Sequence, residues 1–273
     1  MHPHILQRRL ALAQLGSALL CAPALVRAQA NDPKDPTGGD PLGSMQWPAL
    51  RQKHMGQDAW RFSDAVQVKG PTYAEDAMNV PILIDARALQ RTVGPIERIV
   101  VLADRNPIQH ILDFEPLACW PVLAFRFRME QGSPVRALCR TRDGRWHVGQ
   151  TWVNAAGGGC TVPGLTRADG SWSRTLGQVQ AKVFRNVLEG GTRLRLRVMH
   201  PMDTGLVAGI PSFHLETLAL HDAQDQALWR LALHEPISEN PLLTFELGET
   251  ARGPWQLKGR DNNGNRIDTQ VRA

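Results

Sequence analysis

Cys160 is the side chain whose type and setting point most directly to chemistry. It follows Gly157-Gly158-Gly159 and precedes Thr161-Val162-Pro163-Gly164. A thiol becomes a nucleophile on ionising, and an unperturbed cysteine, with a pKa of about 8.5, is a minor thiolate at neutral pH. Three successive glycines have much backbone freedom to lose and no side chain to bury, so they make a poor core strand. The sequence therefore predicts a mobile, solvent-facing segment that presents the Cys160 sulfur. A segment of about six residues reaches roughly 20 Å from its anchor, and its slim glycines suit a narrow cleft. Exposed N–H groups of Gly157, Gly158 and Gly159 would form a small nest for an anionic adduct. Glycine-rich segments are also commonly plain linkers. An unpaired exposed thiol is open to oxidation, however, and this weighs toward a thiol with a task. No base stands at useful spacing, so carriage, with activation by a partner, fits better than catalysis. A cysteine hydrolase would need His and then Asn or Asp held rigidly at the sulfur, which a mobile glycine setting disfavours.

The first thirty residues read as an export signal. Arg8-Arg9 precede an apolar stretch from Leu10 to Val26, and Ala28-Gln29-Ala30 supplies a small-residue exit. The arginine pair suits the twin-arginine route, and the general secretory route fits as well. The mature chain is expected in a bacterial periplasm, without a membrane span, because no later segment reaches the roughly 20 apolar residues required. Removing Cys21 leaves Cys119, Cys139 and Cys160, an odd number for an oxidising compartment. Cys119 and Cys139 lie in apolar strand-like sequence and are expected as two reduced core thiols, with a bridge between them as the alternative. The histidines show no ligand-like spacing, so no metal site is expected. The formal charge of +5 shrinks once the signal is set aside, leaving 28 basic against 26 acidic residues. That balance gives no electrostatic case for nucleic acid.

The rest of the chain must position the thiol. With 42% hydrophobic and 21% charged residues over 273 positions it is globular, and two domains are the natural expectation. Residues 31–43 read as a flexible leader, and Ser44 to Gly56 as a short helix capped by Ser44. Short apolar runs follow at Val66–Val68, Pro81–Ala86, Ile96–Leu102, Ala124–Met129, Val135–Arg140 and Trp146–Val153. In the fourth run, Arg126 and Arg128 alternate with the aromatics and are expected on the opposite face. Residues 157–173 read as a Gly-rich linker. A second series follows at Gln178–Phe184, Thr192–Met199, Phe213–Leu220, Ala227–Ala232, Leu242–Glu246 and Gly253–Asp261. The fold class is thus all-β: two immunoglobulin-like sandwiches in tandem, at 44–156 and 174–273, with a short N-terminal helix. The arginines of Arg193-Leu194-Arg195-Leu196-Arg197 read as the solvated face of a strand.

Several strings then meet a known family. Ala74-Glu75-Asp76-Ala77-Met78-Asn79-Val80-Pro81, Ile99 to Pro107 and Gly158-Gly159-Cys160 resemble SoxY. His200-Pro201-Met202-Asp203-Thr204-Gly205, Gly209-Ile210-Pro211, His234 to Pro241 and Asp261-Asn262-Asn263-Gly264 resemble SoxZ. The chain is therefore similar to the two subunits of the periplasmic SoxYZ sulfur-oxidation carrier, fused. The resemblance implies a covalent sulfur adduct on Cys160 and no other cofactor. It also implies that the halves pair with each other, and that partner enzymes load, hydrolyse and oxidise the cargo, for instance one derived from thiosulfate. Family SoxY ends soon after its cysteine, whereas this chain continues through Thr161 into a second domain. In that respect it more closely resembles the SoxYZ-like carriers associated with periplasmic quinoprotein (PQQ-dependent) dehydrogenases. That relationship implies a quinoprotein dehydrogenase and its cytochrome as alternative partners. The alternative function is a non-covalent accessory or docking protein for such an enzyme.

Overall fold

The computed structural model describes residues 35–168, 170–187, 190–249 and 251–272. The expected export signal at 1–30 and the start of the leader lie outside the described residues. Among the described residues no helix is long and apolar enough to cross a membrane.

The chain is all-β, built as a two-layer immunoglobulin-like sandwich. Its first half holds β1 (Trp60–Phe62), β2 (Gln67–Lys69), β3 (Tyr73–Ala74), β4 (Val80–Asp85), β5 (Ile96–Ala103), β6 (His110–Glu115), β7 (Cys119–Phe127), β8 (Ser133–Thr141) and β9 (Trp146–Ala155). The second half holds β10 (Val179–Arg185), β11 (Thr192–Val198), β12 (Leu215–His221), β13 (Ala227–Leu233), β14 (Leu242–Leu247), β15 (Trp255–Asp261) and β16 (Arg266–Val271). Helix α1 spans Trp47–Met55 and α2 spans Arg87–Val93.

The two halves do not keep separate sheets. One sheet runs β1-β9-β8-β5-β6-β13-β12-β15-β16 and the other β10-β11-β14-β7-β4-β2. The seam in the first sheet is an antiparallel ladder from Arg230 opposite Glu115 to Leu233 opposite Leu112. In the second it joins β14 to β7, with Thr244 opposite Ala124 and Phe245 opposite Leu123. Pairing edge to edge satisfies the backbone groups that two free-standing sandwiches would leave at four open edges. One core fills the interior on both sides of the seam, from Val80, Ile82 and Phe127 to Leu196, Trp229 and Phe245. Across it Trp229 stacks on Phe245 with ring centroids 3.9 Å apart. A smaller core lies on the outer face of the longer sheet, where Trp47, Leu50 and Met55 of α1 cover Val100, Leu102, Leu138 and Val148.

Several details correct the sequence reading. The leader is anchored over 35–43, where buried Asp40 accepts from Arg136 at 2.8 Å and from the Ser44 N–H at 2.7 Å. Ser44 therefore does not cap α1, which begins at Trp47 behind Gln46. Strand β6 falls between the expected runs. Arg126 faces solvent as expected, but Arg128 turns inward just after β7 and is 1% exposed. In β11 the leucines are buried and Arg195 and Arg197 face solvent, while Arg193 pairs with Glu246 at 2.5 Å. Cys119 and Cys139 are buried and unbridged.

Candidate functional site

The glycines before Cys160 act through fit. Gly157 and Gly158 have φ of +98° and +75°, the left-handed region that glycine enters without strain. At Gly159 a Cβ would sit 2.1 Å from the Ala77 carbonyl oxygen and 2.7 Å from that of Met129, so no other residue fits there. The chain is thereby laid flat against the end of β7.

Hydrogen bonds hold it in place. The N–H of Gly158 donates to the Glu130 carbonyl at 3.1 Å and that of Gly159 to the Met129 carbonyl at 3.0 Å. The Cys160 N–H donates to Glu130 Oε2 at 3.1 Å, and the Thr161 hydroxyl to Glu130 Oε1 at 3.1 Å. Thr204 Oγ1 donates to the Cys160 carbonyl at 2.8 Å. Arg128 reaches the carbonyls of Val162 and Met202, each at 3.3 Å, and that of Gly159 at 3.5 Å. Downstream, Glu239 accepts from the N–H groups of Leu165 and Thr166 at 3.2 and 2.7 Å, and Arg167 pairs with Asp203 at 2.6 Å.

The thiol itself is 1% exposed and donates to the Arg128 carbonyl at 3.6 Å, an oxygen that Asn106 Nδ2 also approaches at 2.7 Å. Burial, aided by the Glu130 carboxylate and opposed by Arg128, pushes its pKa up to about 12. At neutral pH that leaves only on the order of one thiolate in 10⁵. No imidazole hydrogen-bonds the sulfur among the described residues, so no Cys-His pair stands ready for hydrolysis.

These facts overturn the expected exposed, mobile presentation of Cys160. They also overturn the anion nest at Gly157, Gly158 and Gly159, because the N–H groups of Gly158, Gly159 and Cys160 already have acceptors and a carboxylate stands among them. Arg128, Glu130 and Thr204 were missed from sequence. Arg128 continues an alternating strand and so reads as solvated. The signal available was in the SoxY-like and SoxZ-like strings, because Ala77, Met202, Thr204 and Glu239 all belong to them and all line this cradle.

His200 buttresses the same cradle. Its Nδ1 accepts the Met202 N–H at 3.1 Å, so the ring must be neutral on that nitrogen. Burial lowers its pKa from 6.5 to about 4. The unfolded chain takes up the proton from about pH 6.5 downward and the folded one only near 4. Stability present above pH 6.5 is therefore lost progressively as pH falls to about 4, by ~3 kcal/mol for this group alone. Urea unfolding at pH 7 and pH 4.5 should show the His200→Gln variant losing less stability on acidification than the parent. An equal loss would mean that His200 already carries its proton in the fold.

The structure also gathers groups that their spacing kept apart. His110 and Asp113 of β6 meet His234, which follows β13, with one ligand-type atom from each lying within 4.8 Å of the others.

A buried cysteine on a glycine segment is thus clasped by side chains from both halves of an all-β sandwich. Residues 51–160 match the family described as "Sulfur oxidation protein SoxY", a match that ends on Cys160 itself. Over these residues, less than half of the chain, the sequence is similar to SoxY. The sulfur carrier protein SoxY from Chlorobium limicola f thiosulfatophilum is similar in structure at 18% identity and a TM-score of 0.35, over 41% of this chain and 96% of that one. A putative membrane anchored protein from Corynebacterium diphtheriae is similar at 9% identity and a TM-score of 0.25, over 77% of this chain and 57% of that one. A search of curated proteins finds no match.

Proposed function

We propose that the protein is a periplasmic sulfur-oxidation carrier that bears its cargo covalently on Cys160, with the docked segment as its resting form. The observation that carries this reading is the SoxY match running up to Cys160, on a segment fastened by side-chain and backbone hydrogen bonds rather than built into a strand. Fixed at both ends, the segment would swing out as a loop rather than thread as a tail. Release would return the thiol toward its ordinary pKa and hand its activation to a partner. Joining the Cys160 thiolate to the outer sulfur of thiosulfate forms one S–S bond and releases two electrons, which the loading enzyme or its cytochrome must accept. The carrier supplies the attachment point and needs no catalytic groups of its own. Redocking would then shelter the bare thiol from oxidation.

Burial of Cys160 favours one second reading, an accessory protein that docks on a quinoprotein dehydrogenase without covalent chemistry. Intact-mass analysis of protein purified from its native periplasm separates the two. The carrier reading expects a sulfur adduct that maps to Cys160 and is absent from Cys160→Ser. An adduct that persists in Cys160→Ser would end the carrier reading. An unmodified protein whose Cys160→Ser variant still supports dehydrogenase-dependent growth would establish the accessory role instead.

A further inference from the structure

His110 and Asp113 are three residues apart on β6, a spacing that in a regular strand puts side chains on opposite faces. A bulge changes this. Asp113 pairs with Val100 and Leu112 with Val101, but His110 pairs with Leu102, so Ile111 is the extra residue. His110 and Asp113 consequently share the face that α1 covers, an instance of a bulge re-aiming a side chain. His234 arrives from the other half, its N–H bonded to the Ile111 carbonyl at 3.1 Å. His54, in the last turn of α1, packs edge-on to His110 with ring centroids 4.9 Å apart.

The polar atoms here are unsatisfied in a particular way. Asp113 Oδ2 is approached by His110 Nε2 at 3.2 Å and by His234 Nε2 at 3.8 Å. Neither contact has hydrogen-bond geometry, and the Nε2 atoms of His54, His110 and His234 are all buried without a partner. Two such nitrogens beside one carboxylate oxygen, with a third on the ring packed against His110, are expensive to leave unpaired. A tetrahedral ion with bonds of about 2.0–2.2 Å sets its ligand atoms roughly 3.3–3.6 Å apart, between the 3.2 and 3.8 Å at which the two nitrogens approach Oδ2. The other oxygen, Oδ1, is held by Arg98 at 2.8 and 3.1 Å, which fixes the carboxylate and leaves Oδ2 facing the imidazoles.

We propose that His110, Asp113 and His234 bind one divalent transition-metal ion at the seam between the two halves. Imidazole nitrogens with one carboxylate favour zinc-type ions over calcium or magnesium, which take oxygen ligands. The ion would tie β6 to the segment after β13. It does not depend on the carrier reading, because Cys160 takes no part.

The test uses the untagged mature chain, stripped with chelator and titrated with Zn²⁺ against a chromophoric competitor. One equivalent should bind and raise the thermal midpoint. Cys160→Ser should bind as the parent does, with Co²⁺ giving no sulfur-to-metal charge-transfer band. His234→Ala should weaken binding at least ~100-fold and abolish the thermal shift. Asp113→Asn, which keeps the side-chain volume and all three rings, should do likewise, and it decides the matter if His234→Ala does not fold. Absence of stoichiometric binding, or binding that survives both substitutions, would overturn the site.

Discussion

Replacing Gly159 with alanine should raise the rate at which iodoacetamide alkylates Cys160 by at least ~100-fold at pH 7.5, with the fold intact. A Cβ at this position would lie 2.1 Å from the Ala77 carbonyl oxygen and 2.7 Å from that of Met129, and both obstacles are backbone. Neither can move without disturbing the end of β7, so the segment itself must lift. Lifting it breaks the Glu130, Thr204 and Arg128 contacts together, since all of them are made to residues 158–162. The thiol then returns from about 12 toward the ordinary range near 8.5, a gain of roughly 10³ in thiolate before any gain in access. The sheets do not pass through this segment, and their seams at β6–β13 and β7–β14 stay paired. Peptide mapping supplies its own control, because Cys119 and Cys139 are buried in strands and should stay unlabelled. If all three thiols react together, the variant has unfolded. If the parent already labels at the rate of a free cysteine, the docked form is not the resting one.

The same segment shows where the sequence could be read and where it could not. The apolar runs were legible because a buried strand needs nothing beyond its own neighbours to declare itself: Ile99 to Ala103 and Val135 to Cys139 are buried almost without interruption. Strand β6 was not, because Asp113 interrupts His110-Ile111-Leu112-Asp113-Phe114, and a charge in a central strand makes sense only with Arg98 and two histidines around it. The position of Cys160 was legible but not its state. Glycine permits both mobility and close approach, and the choice here is made by the Ala77 and Met129 carbonyls, the latter more than twenty-five residues upstream in the chain. For the same reason Arg128 resembles Arg126, until Pro236 takes the Arg128 N–H at 2.6 Å and ends the strand alternation. Continuity of the sheets across the seam was likewise out of reach, since edge pairing leaves no composition signal.

Arg136 should be the most stability-sensitive charged residue of the first half, and Arg136→Met should cost about 3–5 kcal/mol. Its side chain is fully buried between Asp40 and Asp104, both also without exposure. Nε and Nη2 grip Asp104 at 2.9 and 2.8 Å, Nη1 and Nη2 grip Asp40 at 2.8 Å each, and Gln150 takes the remaining donor. All five guanidinium N–H groups are thus in use, with the Trp47 ring 4.4 Å from the guanidinium carbon. Methionine would fill much of the space but strand two carboxylates facing each other away from water. The triple variant Arg136→Met, Asp40→Asn, Asp104→Asn removes those charges and should recover a large part of the loss, which separates charge from packing. Urea midpoints at constant slope measure both; a cost below about 1 kcal/mol for Arg136→Met would mean that water reaches the carboxylates. The effect should also extend to the thiol. Asp104 begins the turn that carries Asn106, whose side chain donates to the Arg128 carbonyl at 2.7 Å and accepts the Glu130 N–H at 3.0 Å. That carbonyl accepts from the Cys160 thiol, and the Glu130 carboxylate accepts from the Cys160 N–H. Loosening the buried triad should therefore raise Cys160 labelling under conditions where the sheets remain folded, coupling the anchored leader to the release of the segment.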